Sequence, residues 1–363
     1  AEAVRSLLGT QLLKEKAKPG EWRKWADRSA VLLREYHSEI RREVASFGLT
    51  AESADSQRAM RNLRESIDQL RTIDDDWVIT HSTGERGTRV VFEPVWPREA
   101  CEELLFRGAE RRVLMSATMQ LEGLTPLGLD QRNVEFTEYD SPFAVERRPV
   151  WLIDIAPRLY MKWTSPESHE RLLLSRLDAF TSPRLDAGRS GLVQSVSYDR
   201  ARRISEQSRN AHRTITNIIQ SPTWMRGGKR QVDVTREATE QFKRRSAGGE
   251  GVAYCTPSMS MGEDFPHDQC RWIGIPKLPF MNMTSPVMKA RKAADAGYQN
   301  RTMATVLMQS LGRGMRSELD WCEGAIFDAS IFWFVKDYPH LFTKWFLKAL
   351  RPVKRLPPML HVA

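Results

Sequence analysis

The chain has 363 residues, 41% of them apolar and 28% charged, a globular composition with room for two or three domains. Fifty-five Lys and Arg against 46 Asp and Glu give a formal net charge of +9, which favours an acidic partner such as nucleic acid or an anionic membrane. No apolar run reaches the roughly 18 residues of a membrane span and no basic-then-apolar leader is present, which weakens the membrane option.

In chain order, Trp25, Leu32, Tyr36, Ile40 and Phe47, then Met60, Leu63, Ile67 and Leu70, recur at helical spacing, so residues 1–73 are predicted to form three helices. Ala1 falls inside the first of them, and the coding sequence is expected to extend upstream. Asp74-Asp75-Asp76 reads as a polar turn rather than a metal site. Trp77–Thr80 and Arg89–Phe92 are β-rich runs joined by the turn STGERG.

Beyond them the pattern changes to buried strands separated by helices, which signals a parallel α/β sheet. Strands are predicted at Val113–Met115, Val150–Ile155, Leu192–Ser197, Thr214–Ile219, Val252–Cys255, Trp272–Ile275 and Ala325–Phe327. Helices are predicted near 170–180, 199–209, 235–246 and 301–310, and Ser141–Pro149 reads as a linker. The GGK of Ser221–Arg230 lacks the spacing and the Ser/Thr of a P-loop. Cys101, Cys255, Cys270 and Cys322 show no C-x-x-C pair and no metal-ligand rhythm, which predicts a reduced intracellular protein without a zinc or iron–sulfur site.

Four stretches carry chemistry. In VLMSATM, residues 113–119, two hydroxyls one small residue apart follow a strand and can bond a loop or a phosphate, although such residues ordinarily cap or turn the chain. In GLVQSVSYDRARRI, residues 191–204, a helix N-terminus faces the strand's carboxyl edge, where amides and hydroxyls suit phosphate. In residues 256–280 a Ser/Met-rich loop runs through Gly262-Glu263-Asp264, and an acid there can accept hydrogen bonds from a ribose or an arginine. In QSLGRGMRS, residues 309–317, Arg313 and Arg316 are expected one helical turn apart, facing the same way, with planar forks matched to phosphate oxygens.

In order and spacing these stretches closely resemble the second half of a superfamily 2 helicase of the DinG/XPD type, over about residues 89–350. The Ser-Ala-Thr motif, Ser141-Pro142-Phe143, the GLV…S-Y unit, the Gly-x-Asp-Phe loop leading to IPKLPF, and QSxGRxxR all have counterparts there. The resemblance implies an α/β protein. Residues 1–76 would form a helical, arch-like segment, 77–148 the end of a first RecA-like domain with its linker, and 149–363 a second RecA-like parallel-sheet domain with flanking helices. It implies that Arg316 is an arginine finger, Arg313 a second phosphate contact and Gln309 a neighbour of the nucleotide. Gly262 and Asp264 would couple the nucleotide to the nucleic-acid track, and Ser116 and Thr118 would link it to domain closure. Ser197, Thr256 and Ser258 would lie on the backbone of a single strand.

The cofactors implied are ATP and Mg²⁺, with no metal ligand and no iron–sulfur cluster in this chain. The implied partner is single-stranded DNA, tracked 5′ to 3′, in the cytoplasm at the nucleoid. One departure is Met261, where the family commonly has Glu. The larger one is that neither G-x-x-x-x-G-K-[ST] nor Asp-Glu-Ala-His occurs in the sequence, so the P-loop half is expected from upstream sequence or a partner chain. The alternative is a non-catalytic nucleic-acid-binding scaffold derived from a helicase. A nuclease is disfavoured, because no Asp/Glu/His set has two-metal spacing.

Overall fold

A computed structural model describes residues 17–47, 51–84, 87–218, 231–257 and 263–361. The expected first helix, Gly262, Ser258, Met261 and the GGK segment lie outside the described residues. The chain divides into two compact units: Ala1–Glu110 with Thr125–Leu129 and Asn282–Ala296, and Arg111–Leu124 with Asp130–Met281 and Gly297–Ala363.

In the first unit, helices α1 (Pro19–Phe47) and α2 (Ala51–Arg71) precede an antiparallel hairpin of β1 (Trp77–Gly84) and β2 (Gly87–Pro94). Helix α1 buries Trp22, Ala26, Ser29 and Leu33, a stripe of i, i+4, i+7 and i+11, so Leu32 is exposed where an inward position was expected. Ala26 and Leu33 pack with Ile67 of α2, and Trp22 meets Phe92 of β2 edge-on, ring centroids 5.1 Å apart. Arg71 links the helix pair through a 2.8 Å ion pair with Asp27 that is exposed to solvent and so contributes little. The Asp74–Asp76 turn is held by the Asp74 carboxylate, which accepts from the Asp76 amide at 2.9 Å. Helix α6 (Pro286–Ala294) also belongs to this unit: Arg291 donates to the Val95 carbonyl at 2.8 Å and its guanidinium lies 5.7 Å from the Trp96 ring centroid.

The second unit is a seven-stranded parallel sheet flanked by helices, the arrangement of a RecA-like domain. Its strands are β3 (Val150–Ile153), β4 (Gly191–Gln194), β5 (Thr214–Thr216), β6 (Ala253–Thr256), β7 (Trp272–Ile275), β8 (Glu323–Ile326) and β9 (Leu350–Val353), in the order β5-β6-β4-β7-β8-β3-β9. Its helices are α3 (Glu167–Asp186), α4 (Tyr198–Gln207), α5 (Gln231–Ala247), α7 (Tyr298–Leu311), α8 (Ser330–Asp337) and α9 (Lys344–Ala349).

Successive strand residues point to opposite faces and fill two cores. Leu192, Tyr254, Ile273 and Ile326 meet Phe242 of α5, Leu307 and Met308 of α7 and Phe334 of α8. Val193, Cys255, Trp272 and Ala325 meet Leu177 and Phe180 of α3 and Ile204 of α4. Full burial of one such side chain contributes about 1.5–3 kcal/mol. All four cysteines are buried, and burial pushes the Cys255 thiol up to about 12, well away from thiolate reactivity.

One expected strand does not form. Val113–Met115 is extended, but among the described residues no strand pairs with it, and Val113 and Met115 are 85% and 88% exposed. An apolar triplet becomes a strand only when another backbone offers it a ladder. Conversely, β9 is a strand that the sequence did not announce: it pairs with β3 and its Pro352 is tolerated because β9 is an edge.

Candidate nucleotide and nucleic-acid site

Parallel strands all end on the same edge, and the motif residues of the second unit collect beyond it or on the helices that return from it. Two clusters form, linked by α7.

The first joins Ser-Ala-Thr to α7. Ser116 Oγ accepts from the Thr118 amide at 3.2 Å, a local turn that buries Thr118 to 3% exposure. Gln309 then donates from Nε2 to Thr118 Oγ1 at 3.3 Å, and Trp345 of α9 donates to the Ala117 carbonyl at 3.3 Å. Ser116, Thr118 and Gln309 are therefore brought together across 191 residues of sequence.

The second cluster contains the arginines, and here the geometry departs from expectation. Helix α7 stops at Leu311; Gly312–Gly314 is a 3-10 turn and Met315 is extended, so Arg313 and Arg316 do not share a helix face. Two glycines in four residues remove the helix propensity needed to continue. Both side chains nevertheless reach the same loop. Arg313, 7% exposed, donates from Nη1 to the Glu263 carbonyl, and Arg316 pairs through Nε with the Asp264 carboxylate. Asp264 and Arg316 are thus in contact, while Glu263 sends its own carboxylate to Lys243 at 2.9 Å.

The turn is pinned from behind. Asp320, 2% exposed, accepts from the Arg316 amide at 3.3 Å and from Arg271 Nη1 at 2.5 Å, and the Arg271 guanidinium lies 4.7 Å from the Trp321 ring centroid. Sequence reasoning missed Arg271 and Asp320, whose only signal is an acid four residues after Arg316. Gly314 allows the close approach: a methyl group there would stand 2.5 Å from Cys322 Cβ and 2.8 Å from the Cys270 carbonyl oxygen. Gly314→Ala is accordingly expected to cost about 1–3 kcal/mol by overpacking, measured as a lower midpoint in urea unfolding. Cys322→Ala as a second substitution should recover only part of it, because the Cys270 backbone still blocks the methyl.

The two arginines carry two positive charges against one contacting carboxylate, that of Asp264. Burial first, and then the neighbouring Arg316 charge, hold the Arg313 guanidinium below its usual pKa, and its buried Nε has no hydrogen-bond partner among the described residues. A buried cation with a spare donor, beside a second cation held by a largely exposed carboxylate, fits a phosphate group. Among the described residues, no group of three His, Cys, Asp or Glu side chains could hold a metal ion.

Thr256 is the last residue of β6, and Ser197 lies just past the neighbouring β4. Gln194 pairs with Thr256 in the β4–β6 register, and Ser197 is the N-cap of α4, its Oγ accepting from the Arg200 amide at 3.2 Å. Thr256 is 1% exposed. Between Ser195 and Ser197, Val196 has φ of 67°, a left-handed conformation costly for a β-branched residue, and it turns the chain sharply from strand into helix.

Among the described residues, no helix is long and apolar enough to cross a membrane. A comparison with curated proteins gives no match. Residues 188–349 match the family model of the helicase C-terminal domain, and this match, on a parallel sheet whose edge carries the two clusters above, supports a helicase C-terminal domain in this chain.

Proposed function

We propose that the chain supplies the second RecA-like domain of a DinG/XPD-type superfamily 2 helicase, an ATP-dependent motor moving 5′ to 3′ on single-stranded DNA. The supporting observation is the convergence of Arg313, Arg316 and Asp264 on one loop, at the end of the helix whose Gln309 contacts Thr118. In this reading residues 1–76 are the arch-like segment and 77–148 the end of the first RecA-like domain. A P-loop half, from upstream sequence or a partner chain, would hold Mg²⁺.

Bound ATP supplies a terminal phosphoryl group whose transfer to water drives movement. Arg316, exchanging Asp264 for phosphate oxygens, neutralises the charge that develops there. Arg313 fixes the 263–264 loop and adds a second positive charge. Gln309, hydrogen-bonded to Thr118, ties this end of α7 to Ser-Ala-Thr, so occupancy of the nucleotide site is felt by the segment that leads into the linker.

The test is reconstitution: strand-stimulated ATP hydrolysis is expected when the P-loop half is supplied and absent from this chain alone. Robust turnover by the chain alone would overturn the proposal. The scaffold alternative draws on the internal pairing of Arg316 with Asp264, which there would be permanent.

A further inference from the structure

A buried lysine sits at the centre of the carboxyl edge, and among the described residues no carboxylate is in hydrogen-bond contact with it. Lys277, in the PKLPF run after β7, is 3% exposed; its Nζ donates to the Leu278 carbonyl at 3.2 Å and lies 4.6 Å from the ring centroid of Trp163. Burying an ammonium is costly unless something compensates, and here the compensation includes the face of an indole. Trp163 is 47% exposed: one face meets the cation while much of the ring is open to solvent.

The loop carrying Trp163 is firmly held. Leu159 and Met161 are buried in the core, and Lys162 and Ser165 close a turn in which the Lys162 amide donates to Ser165 Oγ at 2.9 Å. The Asp328 carboxylate, beyond β8, accepts from the Met161 amide at 3.3 Å and from the Leu278 amide at 3.1 Å, joining this loop to the one that bears Lys277. Arg200, paired with Glu170 at 2.6 Å, donates to the Lys162 carbonyl at 3.2 Å and to the Ser195 carbonyl at 3.3 Å. One guanidinium therefore holds the Trp163 loop beside the Ser195–Ser197 turn, where the N-terminus of α4 opens and Tyr198 is 47% exposed.

A fixed, half-open indole beside a helix N-terminus with a hydroxyl cap combines the two elements that grip a single strand: a π-face for a base and N–H and O–H groups for the neighbouring phosphate. We infer that Trp163 is a base-stacking residue for single-stranded nucleic acid, set in its plane by Lys277 and held in register with the Ser197 turn by Arg200. This rests on the reading of the chain as part of a nucleic-acid motor and adds to it a residue outside the motifs. Stacking on an indole is tolerant of base identity, so the site should grip any sequence whose bases are unpaired.

The test is fluorescence anisotropy of the full chain with a labelled 12-residue oligothymidylate. Trp163→Ala is expected to weaken binding by about 10-fold or more, and Trp163→Phe by only about 3-fold. A series of oligonucleotides with one abasic position each should show a position whose loss weakens the parent but not Trp163→Ala, and this arm on the parent decides the matter even if the alanine variant folds poorly. Parent-like affinity in Trp163→Ala, equal loss in the alanine and phenylalanine variants, or no sensitive abasic position would overturn the inference and leave the helicase reading standing. A parent that binds no single strand would overturn both, and would leave Trp163 as a contact for another protein.

Discussion

With the proposed P-loop half supplied, replacing Arg316 with alanine is expected to lower kcat for strand-stimulated ATP hydrolysis by about 10³-fold or more. The effect should fall on kcat rather than KM, since an arginine that meets charge developing in the transition state contributes little to ground-state binding. Loss of folding cannot supply such a drop. Arg316 is 36% and Asp264 64% exposed at the side chain, and an ion pair this open contributes about 0–1 kcal/mol to stability. Arg316→Lys keeps the charge but not the planar fork and should recover only a fraction of the rate. Asp264→Asn removes the partner of Arg316 and leaves the guanidinium in place, so its rate should stay within a few-fold of the parent unless the carboxylate also transmits the nucleotide state. The measurement is a steady-state ATPase assay with saturating single strand. An unchanged rate for Arg316→Ala would favour the scaffold.

The parallel sheet was legible because its central strands, buried on both faces, are mostly apolar short runs; for Trp272–Ile275 the predicted and observed limits coincide. What was not legible depends on partners. Val113–Met115 carries the same local pattern as β3, yet among the described residues no strand pairs with it. Helix α8, SIFWFVKD, is short and carries five consecutive apolar residues, of which only Ile331 and Phe334 are fully buried, so its inward side is hard to read from the sequence. The arginines were legible in type but not in geometry: Gly312 and Gly314 end α7 in a 3-10 turn, and Gly314 packs against Cys322 and against the Cys270 carbonyl, which comes from a distant part of the chain. Trp163 and Lys277, 114 positions apart, meet only because β3 and β7 deliver their following loops to the same edge.

Glu323→Ala is expected to destabilise the sheet unit by about 3–5 kcal/mol, the largest stability effect of any single side chain proposed here. Glu323 and Arg184 are each 1% exposed at the side chain and pair twice, Nη2 to Oε2 at 2.7 Å and Nε to Oε1 at 2.9 Å. The carboxylate also accepts from Trp151 Nε1 at 3.0 Å and from the Leu360 amide at 3.3 Å. Arg184 donates to the carbonyls of Phe180 at 2.6 Å and Pro358 at 3.2 Å and lies 3.6 Å from the Phe180 ring centroid. Removing the acid strands a buried guanidinium and frees the segment around Pro358–Leu360, so the urea midpoint should drop. The double substitution Arg184→Met with Glu323→Leu should cost much less than the sum of the singles, because it removes two desolvation penalties along with the pair. If the double were as damaging as the sum, the pair would owe its effect to packing rather than to charge. The position matters beyond stability. Glu323 opens β8, three residues after Asp320 and five before Asp328, so the ion pair fixes the strand that carries Asp320 to the Arg316 turn at one end and Asp328 to the Trp163 loop at the other. Unsettling it should therefore loosen both the Arg316 turn and the Trp163 loop, although neither touches it.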